Sequence, residues 1–397
     1  MDNLVVVNIL GKDRPGLVAD ITTPLADNRV NIVDIDETTR YGLFSIFMLL
    51  DLSTSKLGYD KLKKILQNIV DKLSMSLLCM PLSEFTELKR PKIKQIQTIT
   101  VLGADKPGIV AGISNELRRQ NINIERIKMI AREELFAMEM LVGYENPVNL
   151  NLLRKALRQK GDSLGVDIIV QPEDTFREKK KLIVFDMDST IVDAEVIDEL
   201  AKVVGIGDKV SEITARGMRG EIDFRQGLRE RVKLLKNTPI SVLDEIANNL
   251  RLTPGSEELI LTLKEMGCKV ALISGGFTYF TNKIGSKLGF DYTFGNELEI
   301  KNGKLTGRIK GKIVDKEVKG KIIEELAKKE GFGRGEIVAV GDGANDQIML
   351  KNAGLGIAFN AKEILREVAD GTINKNNLKG LLYCLGFSES EIRRKRK

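Results

Sequence analysis

Histidine is missing altogether from this chain of 397 residues. Its absence removes Ser-His-Asp and Cys-His triads, phosphoryl transfer through histidine and the common zinc constellations. Acid–base work then falls to carboxylates, lysine or tyrosine. Cysteine is scarce: Cys79, Cys268 and Cys384 are odd in number, widely separated and without metal-ligand spacing. That argues for a reducing compartment and packing roles. No apolar run approaches the ~18 residues of a membrane span, and Met1-Asp2-Asn3 does not open a signal peptide, so the expected location is the cytoplasm. Aromatics are only 5% and net charge is +6, without the concentrated basic face and stacking rings of a nucleic-acid binder. The basic ending Arg393-Arg394-Lys395-Arg396-Lys397 reads as a solvated tail. With 42% hydrophobic and 30% charged residues, the composition is that of a soluble globular protein. At about 150 residues per domain its length allows two or three domains.

A repeat fills the first half. Gly11-Lys12-Asp13-Arg14-Pro15-Gly16-Leu17-Val18-Ala19 aligns with Gly103-Ala104-Asp105-Lys106-Pro107-Gly108-Ile109-Val110-Ala111, and the offset of 92 also carries Asn31-Ile32 onto Asn123-Ile124. Each copy reads as β-α-β-β-α-β, the ferredoxin-like order. In the first copy the apolar runs near 4–10, 30–35, 43–51 and 76–80 are strands, with helices near 16–28 and 57–72. Asp-x-Pro-Gly ends a strand and opens a helix, because Pro presets φ and Gly permits close backbone approach. The helix N-terminus then offers N–H groups to a carboxylate. One copy alone reads equally well as a plain strand-to-helix turn. The pair resembles tandem ACT domains, which implies amino-acid sensing, with serine as the candidate effector. By that resemblance Asp13, Gly16 and Asn31, with Asp105, Gly108 and Asn123, are the ligand-loop residues. Serine-sensing members often add a histidine, which this chain lacks, so the repeats read equally as platforms for a homodimer. The expected domains are 1–90 and 94–172. A linker over 173–181 comes next, in the charged stretch Gln171 to Lys181.

The second half turns α/β. The run Leu182-Ile183-Val184-Phe185 ends in Asp186-Met187-Asp188-Ser189-Thr190. Two carboxylates two residues apart at the end of a buried strand are costly unless a cation lies between them or the site does chemistry. Parallel sheets bind ligands at the carboxyl ends of their strands. Taken alone the five residues also suit an Asp-rich turn. A helical run extends from there to about 236. Val270-Ala271-Leu272-Ile273 then ends in Ser274-Gly275-Gly276, and Ile337-Val338-Ala339-Val340 ends in Gly341-Asp342-Gly343-Ala344-Asn345-Asp346. Leu355 to Phe359 is a further strand. Singly, Ser274-Gly275-Gly276 is a turn signal and Lys319 a solvated lysine. Gly341-x-Gly343 is discounted as a dinucleotide loop, since Asp346 stands where a third small residue is needed. Gly331-Phe332-Gly333-Arg334-Gly335 precedes a strand and is discounted too.

In this order the pieces resemble the haloacid dehalogenase (HAD) phosphohydrolase superfamily. The resemblance implies a Rossmannoid parallel sheet over 182–390 with a helical cap at about 195–250, preceded by the two ferredoxin-like ACT domains. Phosphomonoester hydrolysis brings an anion to an anion, so catalysis is mostly charge neutralisation and positioning. By the resemblance Asp186 is the nucleophile that forms an aspartyl-phosphate, and Asp188 handles the proton. Asp186, the Asp188 carbonyl and Asp342 hold Mg²⁺, supported by Asp346. Lys319 and Ser274 hold phosphoryl oxygens, and Thr190 positions the loop.

The cap narrows the resemblance. Glu195-Val196-Ile197-Asp198-Glu199-Leu200-Ala201, Phe224-x5-Glu230-Arg231-Val232 and Ser274-Gly275-Gly276-Phe277 resemble segments of the phosphoserine phosphatase family. That likeness implies Glu195 on the substrate ammonium and Arg231 on its carboxylate. Met218 and Phe224 close over them, Gly275 lines the pocket, and Asn345 orients the phosphoryl end. Singly, Glu195 and Arg231 read as helix-surface charge, and Met218 and Phe224 as core packing. Asn302-Gly303 marks a hairpin turn, a flap near the phosphate site. The readings left open are a phosphatase for another small phosphomonoester and a silent amino-acid-responsive regulator. Phosphotransfer to an alcohol is a third, as a side activity.

Overall fold

The computed structural model describes residues 3–85, 95–132, 135–374 and 377–394. The chain divides into two compact units, Met1–Pro91 and Lys92–Lys397. The boundary expected between 90 and 94 lies outside the described residues, as does Lys395-Arg396-Lys397 of the basic ending.

In the first unit β1 (Leu4–Lys12), β2 (Asn31–Arg40), β3 (Leu43–Asp51) and β4 (Ser76–Pro81) form an antiparallel sheet in the order β2-β3-β1-β4. Val5, Val7 and Ile9 alternate onto one face. There they meet the helix Leu17–Asp27 through Leu17, Ile21 and Leu25, and the helix Tyr59–Leu73 through Leu62, Leu66 and Val70. A spacing of four residues places each trio on one helical stripe. Gly16 opens the first helix at φ 91°, a left-handed conformation that glycine adopts freely.

The second unit begins with the same motif: β5 (Gln95–Gly103), β6 (Asn123–Arg132), β7 (Phe136–Tyr144) and β8 (Val166–Pro172), with helices Ile109–Arg119 and Leu150–Leu164. Its remaining strands are β9 (Leu182–Phe185), β10 (Lys269–Phe277), β11 (Tyr292–Lys301), β12 (Lys304–Lys310), β13 (Ile337–Gly341), β14 (Leu355–Phe359) and β15 (Gly371–Ile373). All eleven join one sheet, ordered β12-β11-β10-β9-β13-β14-β15-β8-β5-β7-β6. Strand β9 is wholly buried and lies parallel between β10 and β13, so three chain segments end side by side at one edge. Strand β15 pairs antiparallel with β8, Gly371 opposite Ile169, and this pairing makes the ferredoxin-like sheet continuous with the parallel one.

The stretch 173–181 is therefore not the open linker its charge suggested. Glu173–Arg177 is helical, and Lys180 is 8% exposed, its ammonium donating to the Gly335 carbonyl at 2.7 Å. Counting charges missed the carbonyls that satisfy them. The helical run beyond β9 is a cap of Val196–Val204, Gly207–Met218, Phe224–Leu234 and Ile240–Asn249. All three cysteines are buried and free. Among the described residues no helix is long and apolar enough to cross a membrane.

Candidate active site

The acids beyond the carboxyl ends of β9 and β13 converge on a buried cation, and the end of β10 lies beside them through Ser274. Asp186 follows β9, its N–H donating to the Val340 carbonyl of β13 at 2.9 Å. Its Oδ1 accepts from the Met187 N–H at 2.7 Å and lies 2.9 Å from Lys319 Nζ. Lys319 projects from the helix Lys316–Glu330, which Asp315 caps by accepting the Val318 N–H at 3.0 Å. The lysine is 0% exposed and reaches Asp346 at 2.7 Å, which rules out the solvated reading. Burial opposes its charge, but Asp186 and Asp346 outweigh that and hold the ammonium above lysine's usual range.

Asp186, Asp342 and Asp346 each bring a carboxylate oxygen within 4.8 Å of the others. Burial first, then the charge of Asp186, pushes Asp342 up to about 8 and Asp346 up to about 7. Such crowding of acid oxygens, offset by one ammonium, suits a hard divalent cation. Like Asp186, Asp346 has both oxygens engaged, one accepting from Lys319 and the other from the Gly343 N–H. An added Cβ at Gly341 would sit 2.5 Å from Asp346, so only glycine lets this loop fold onto its own acid.

Asp188 has different neighbours. Its Oδ2 accepts from the Ser274 hydroxyl at 2.8 Å, and its Oδ1 from the Val196 N–H at 2.9 Å, where the first cap helix begins. Burial, then Glu195 and Asp186, push it up to about 7. Ser274 is itself 0% exposed and accepts from the Gly276 N–H at 2.7 Å. A Cβ on Gly276 would lie 3.0 Å from both Asp188 Oδ2 and Ser274 Oγ. Asn345 approaches Asp186 Oδ2 at 3.4 Å. Thr190 is fully buried, its hydroxyl without a partner among the described residues; its N–H, bonded to the Met187 carbonyl at 3.3 Å, is what ties it to the loop.

On the cap side, Glu195 accepts from the Ser189 hydroxyl at 2.8 Å, and burial raises its carboxyl. Arg231 is half-buried and faces the charges of Asp198, Glu195 and Asp188, so its surroundings are acidic rather than those of a surface arginine. The Phe224 ring overlies the β10 loop, 3.0 Å from where a Gly275 Cβ would be. Met218 is left 71% exposed at the end of its helix, which is not the burial of a closed lid. The Asn302-Gly303 turn has φ of 51° and 72°, as a tight hairpin requires. Its tip docks on the cap, with Gly303 accepting from the Ile240 N–H at 3.0 Å. The hairpin meets the Ser274–Gly276 loop by its root instead.

That root is Asn296, which the motifs did not flag. It is 1% exposed; its amide donates to the Gly275 and Gly276 carbonyls at 2.8 and 3.1 Å and accepts the Val314 N–H at 2.8 Å. Ser189, as the orienter of Glu195, was also missed. So was the pair of Arg225 on the cap with Asp315 ahead of Lys319. A lone polar residue in a strand has no periodic signal, and cross-domain pairs have none either. In the repeats, Gly16 and Gly108 open helices at φ 91° and 94°, while Asp13, Asn31, Asp105 and Asn123 stand exposed. Asp105 pairs with Arg132 at 3.1 Å.

The haloacid dehalogenase-like hydrolase model matches residues 180–354, and the ACT domain model matches 3–79 and 95–171. A phosphoserine phosphatase of Archaeoglobus fulgidus is 54% identical over 304 residues, 76% of this chain and 87% of that protein. One from Streptomyces coelicolor is 38% identical over 389 residues, 98% of this chain and 93% of that protein. The crystal structure of a HAD-family hydrolase from Salmonella enterica serovar Typhi is similar at 28% identity with a TM-score of 0.65, over 73% of this chain and 98% of that one.

Proposed function

We propose, since this chain belongs to the phosphoserine phosphatase family of haloacid dehalogenase-like hydrolases, that it hydrolyses O-phosphoserine to serine and phosphate. This would be the closing step of serine biosynthesis, carried out in the cytoplasm. The observation that carries the reading is the different company of two neighbouring carboxylates. Asp186 lies 2.9 Å from the Lys319 ammonium, whereas Asp188 accepts the Ser274 hydroxyl at 2.8 Å. Acids in different surroundings hold protons differently and so divide the work.

An Asp186 oxygen attacks phosphorus and the bond from phosphorus to the seryl oxygen breaks. Asp188 gives that oxygen its proton. Water then attacks the phosphorus of the aspartyl-phosphate and returns a proton to Asp188, which frees Asp186. A value of about 7 suits a group that must give and take a proton near neutrality. Lys319 and Ser274 hold phosphoryl oxygens, and Asn345 orients that end. Asp186, Asp342 and the Asp188 carbonyl, supported by Asp346, would hold Mg²⁺, which supplies neutralising charge for the phosphoryl group when bound. Glu195 receives the substrate ammonium and Arg231 its carboxylate, a fit of fork to carboxylate. Phe224 and Gly275 line the pocket, and Met218 joins them when the cap closes. The exposed helix-opening loops of the two repeats, at Asp13, Gly16, Asp105 and Gly108, together with Asn31 and Asn123 at the starts of β2 and β6, take an amino-acid effector such as serine. The enzyme works as a homodimer.

Phosphate release from phosphoserine, with and without Mg²⁺ and added serine, tests this in the wild type and in Asp186→Asn. Release should need Mg²⁺ and vanish in the folded variant; full turnover by Asp186→Asn would sink the nucleophile.

A further inference from the structure

We infer that Arg225 is a positioning residue for phosphoserine hydrolysis, a role that rests on the function proposed above: it fastens the cap beside the pocket to the helix that carries Lys319. Arg225 is the second residue of the cap helix Phe224–Leu234, and its neighbour Phe224 supplies the ring over Gly275. Its guanidinium donates through both Nε and Nη2 to Asp315 Oδ2, the former at 2.5 Å. The other oxygen of Asp315 accepts the Val318 N–H, and its carbonyl accepts the Lys319 N–H at 2.8 Å. One carboxylate thus holds the cap through one oxygen and the start of the lysine helix through the other.

The two ends of this cap helix are held differently. Toward its C-terminus, Lys233 packs on Gly307 of β12, where an added Cβ would fall 3.2 Å from the Lys233 carbonyl. Just beyond, the Asn237 N–H donates to the Leu305 carbonyl and the Leu305 N–H to the Thr238 carbonyl, both at 2.9 Å. At the N-terminal end, the Arg225–Asp315 pair is the one ion pair to the core among the described residues. Before it the chain turns through Gly220 at φ 75°, and Met218 is 71% exposed. The pair therefore stands where the seated part of the cap ends and the open part begins.

A cation in the first turn of a helix is otherwise misplaced, since that end of the helix is itself positive. Asp315 gives it a partner. Burial opposes the charge of this carboxylate, but the Val318 N–H and Arg225 outweigh that and hold it below the usual aspartate range. The acid is buried and the guanidinium half exposed, so the pair biases the cap without locking it. A ligand that needs the seated cap binds more weakly in proportion to the fraction of molecules in which the cap is unseated. Losing the pair therefore raises KM, while the complex that does form turns over as before.

Steady-state kinetics and hydrogen exchange on Arg225→Met, Asp315→Asn and the double variant test this in the full chain. Met keeps the length and helix propensity of Arg. Asn still accepts the Val318 N–H but turns an amide donor toward the guanidinium. Each single variant should raise the phosphoserine KM about fivefold with kcat within about twofold, and the double variant should go no further. Arg225→Lys, which keeps the charge without the fork, should regain part of the loss. Without substrate, amides in the first turn of the helix Phe224–Leu234 should exchange faster in all but the wild type. Lys283→Gln, which removes another cap–core pair, with Asp244, should move neither readout. Unchanged exchange in whichever single variant is folded overturns the clamp. Faster exchange with an unchanged KM, or losses that add in the double variant, overturns the positioning role. If the wild type leaves phosphoserine intact, the proposed substrate fails, and exchange together with the KM for p-nitrophenyl phosphate still decides the clamp.

Discussion

Lys319 lies 2.9 Å from Asp186 with none of its surface open to solvent, and the same ammonium reaches Asp346 at 2.7 Å. One buried cation thus serves two buried carboxylates at the end of the central strand. Removing one member of such a set leaves the others uncompensated, at about 3–5 kcal/mol. Lys319→Met, close in length and uncharged, should abolish phosphoserine turnover. It should also destabilise the metal-free protein by that amount at neutral pH, read by denaturant unfolding. A fully stable variant would mean that the carboxylates are not relying on the ammonium.

The same crowding ties metal affinity to pH. Without a cation, Asp342 and Asp346 keep their protons up to about 8 and about 7, well above an unfolded aspartate. A divalent ion must displace those protons, so its affinity should climb as pH rises toward 8 and level off above it. At a hundredfold excess over its dissociation constant a ligand adds about 2.7 kcal/mol of stability. The rise in melting temperature on adding Mg²⁺ after EDTA should therefore be larger at pH 8.5 than at pH 6. An equal shift at both would place the ion elsewhere.

On the function proposed above, substrate choice rests on Glu195 and Arg231. Hydrogen bonds to charged groups are worth about 1.5–3 kcal/mol. Glu195→Gln and Arg231→Ala should therefore cut kcat/KM for phosphoserine by about 10- to 100-fold, and that for p-nitrophenyl phosphate, which has neither ammonium nor carboxylate, by far less. Equal losses on both substrates would leave these residues a structural task only. The Ser189 hydroxyl, which orients Glu195 at 2.8 Å, should share the phosphoserine-selective loss in Ser189→Ala, more mildly.

Much of this site is legible in the chain because its parts sit at the ends of apolar runs that must be buried. Leu182 to Phe185 is wholly buried, and ligands bind at the loops that leave the carboxyl ends of such parallel strands. Lys319 was legible only by its place in an ordered series; nothing in Lys316 to Lys321 distinguishes it from a surface lysine. The continuity of the sheet was not legible at all. Strand β15 is Gly371-Thr372-Ile373, too short for any periodicity, and its partner belongs to the other motif. The charged run 173–181 misled for the opposite reason, since a lysine on carbonyls can be buried.

Asn296 carries the last prediction. Its side chain joins the loop bearing Ser274 to the segment that leads into the Lys319 helix, through two carbonyls on one side and the Val314 N–H on the other. Asn296→Ala strands these backbone groups in a place 1% exposed, each at about 1–3 kcal/mol if nothing replaces the bond. Part of that cost is met by movement of the Gly275–Gly276 loop, which misplaces Ser274 against Asp188. The expected result is a fall in kcat of at least tenfold with a smaller change in KM, in protein whose circular dichroism is native. Asn296→Asp separates positioning from packing. It keeps the acceptor for Val314 but turns an oxygen toward two carbonyl oxygens, so it should be no better than Ala despite its matching shape. Wild-type kcat in a folded Asp variant would show that the donated bonds do not set the loop.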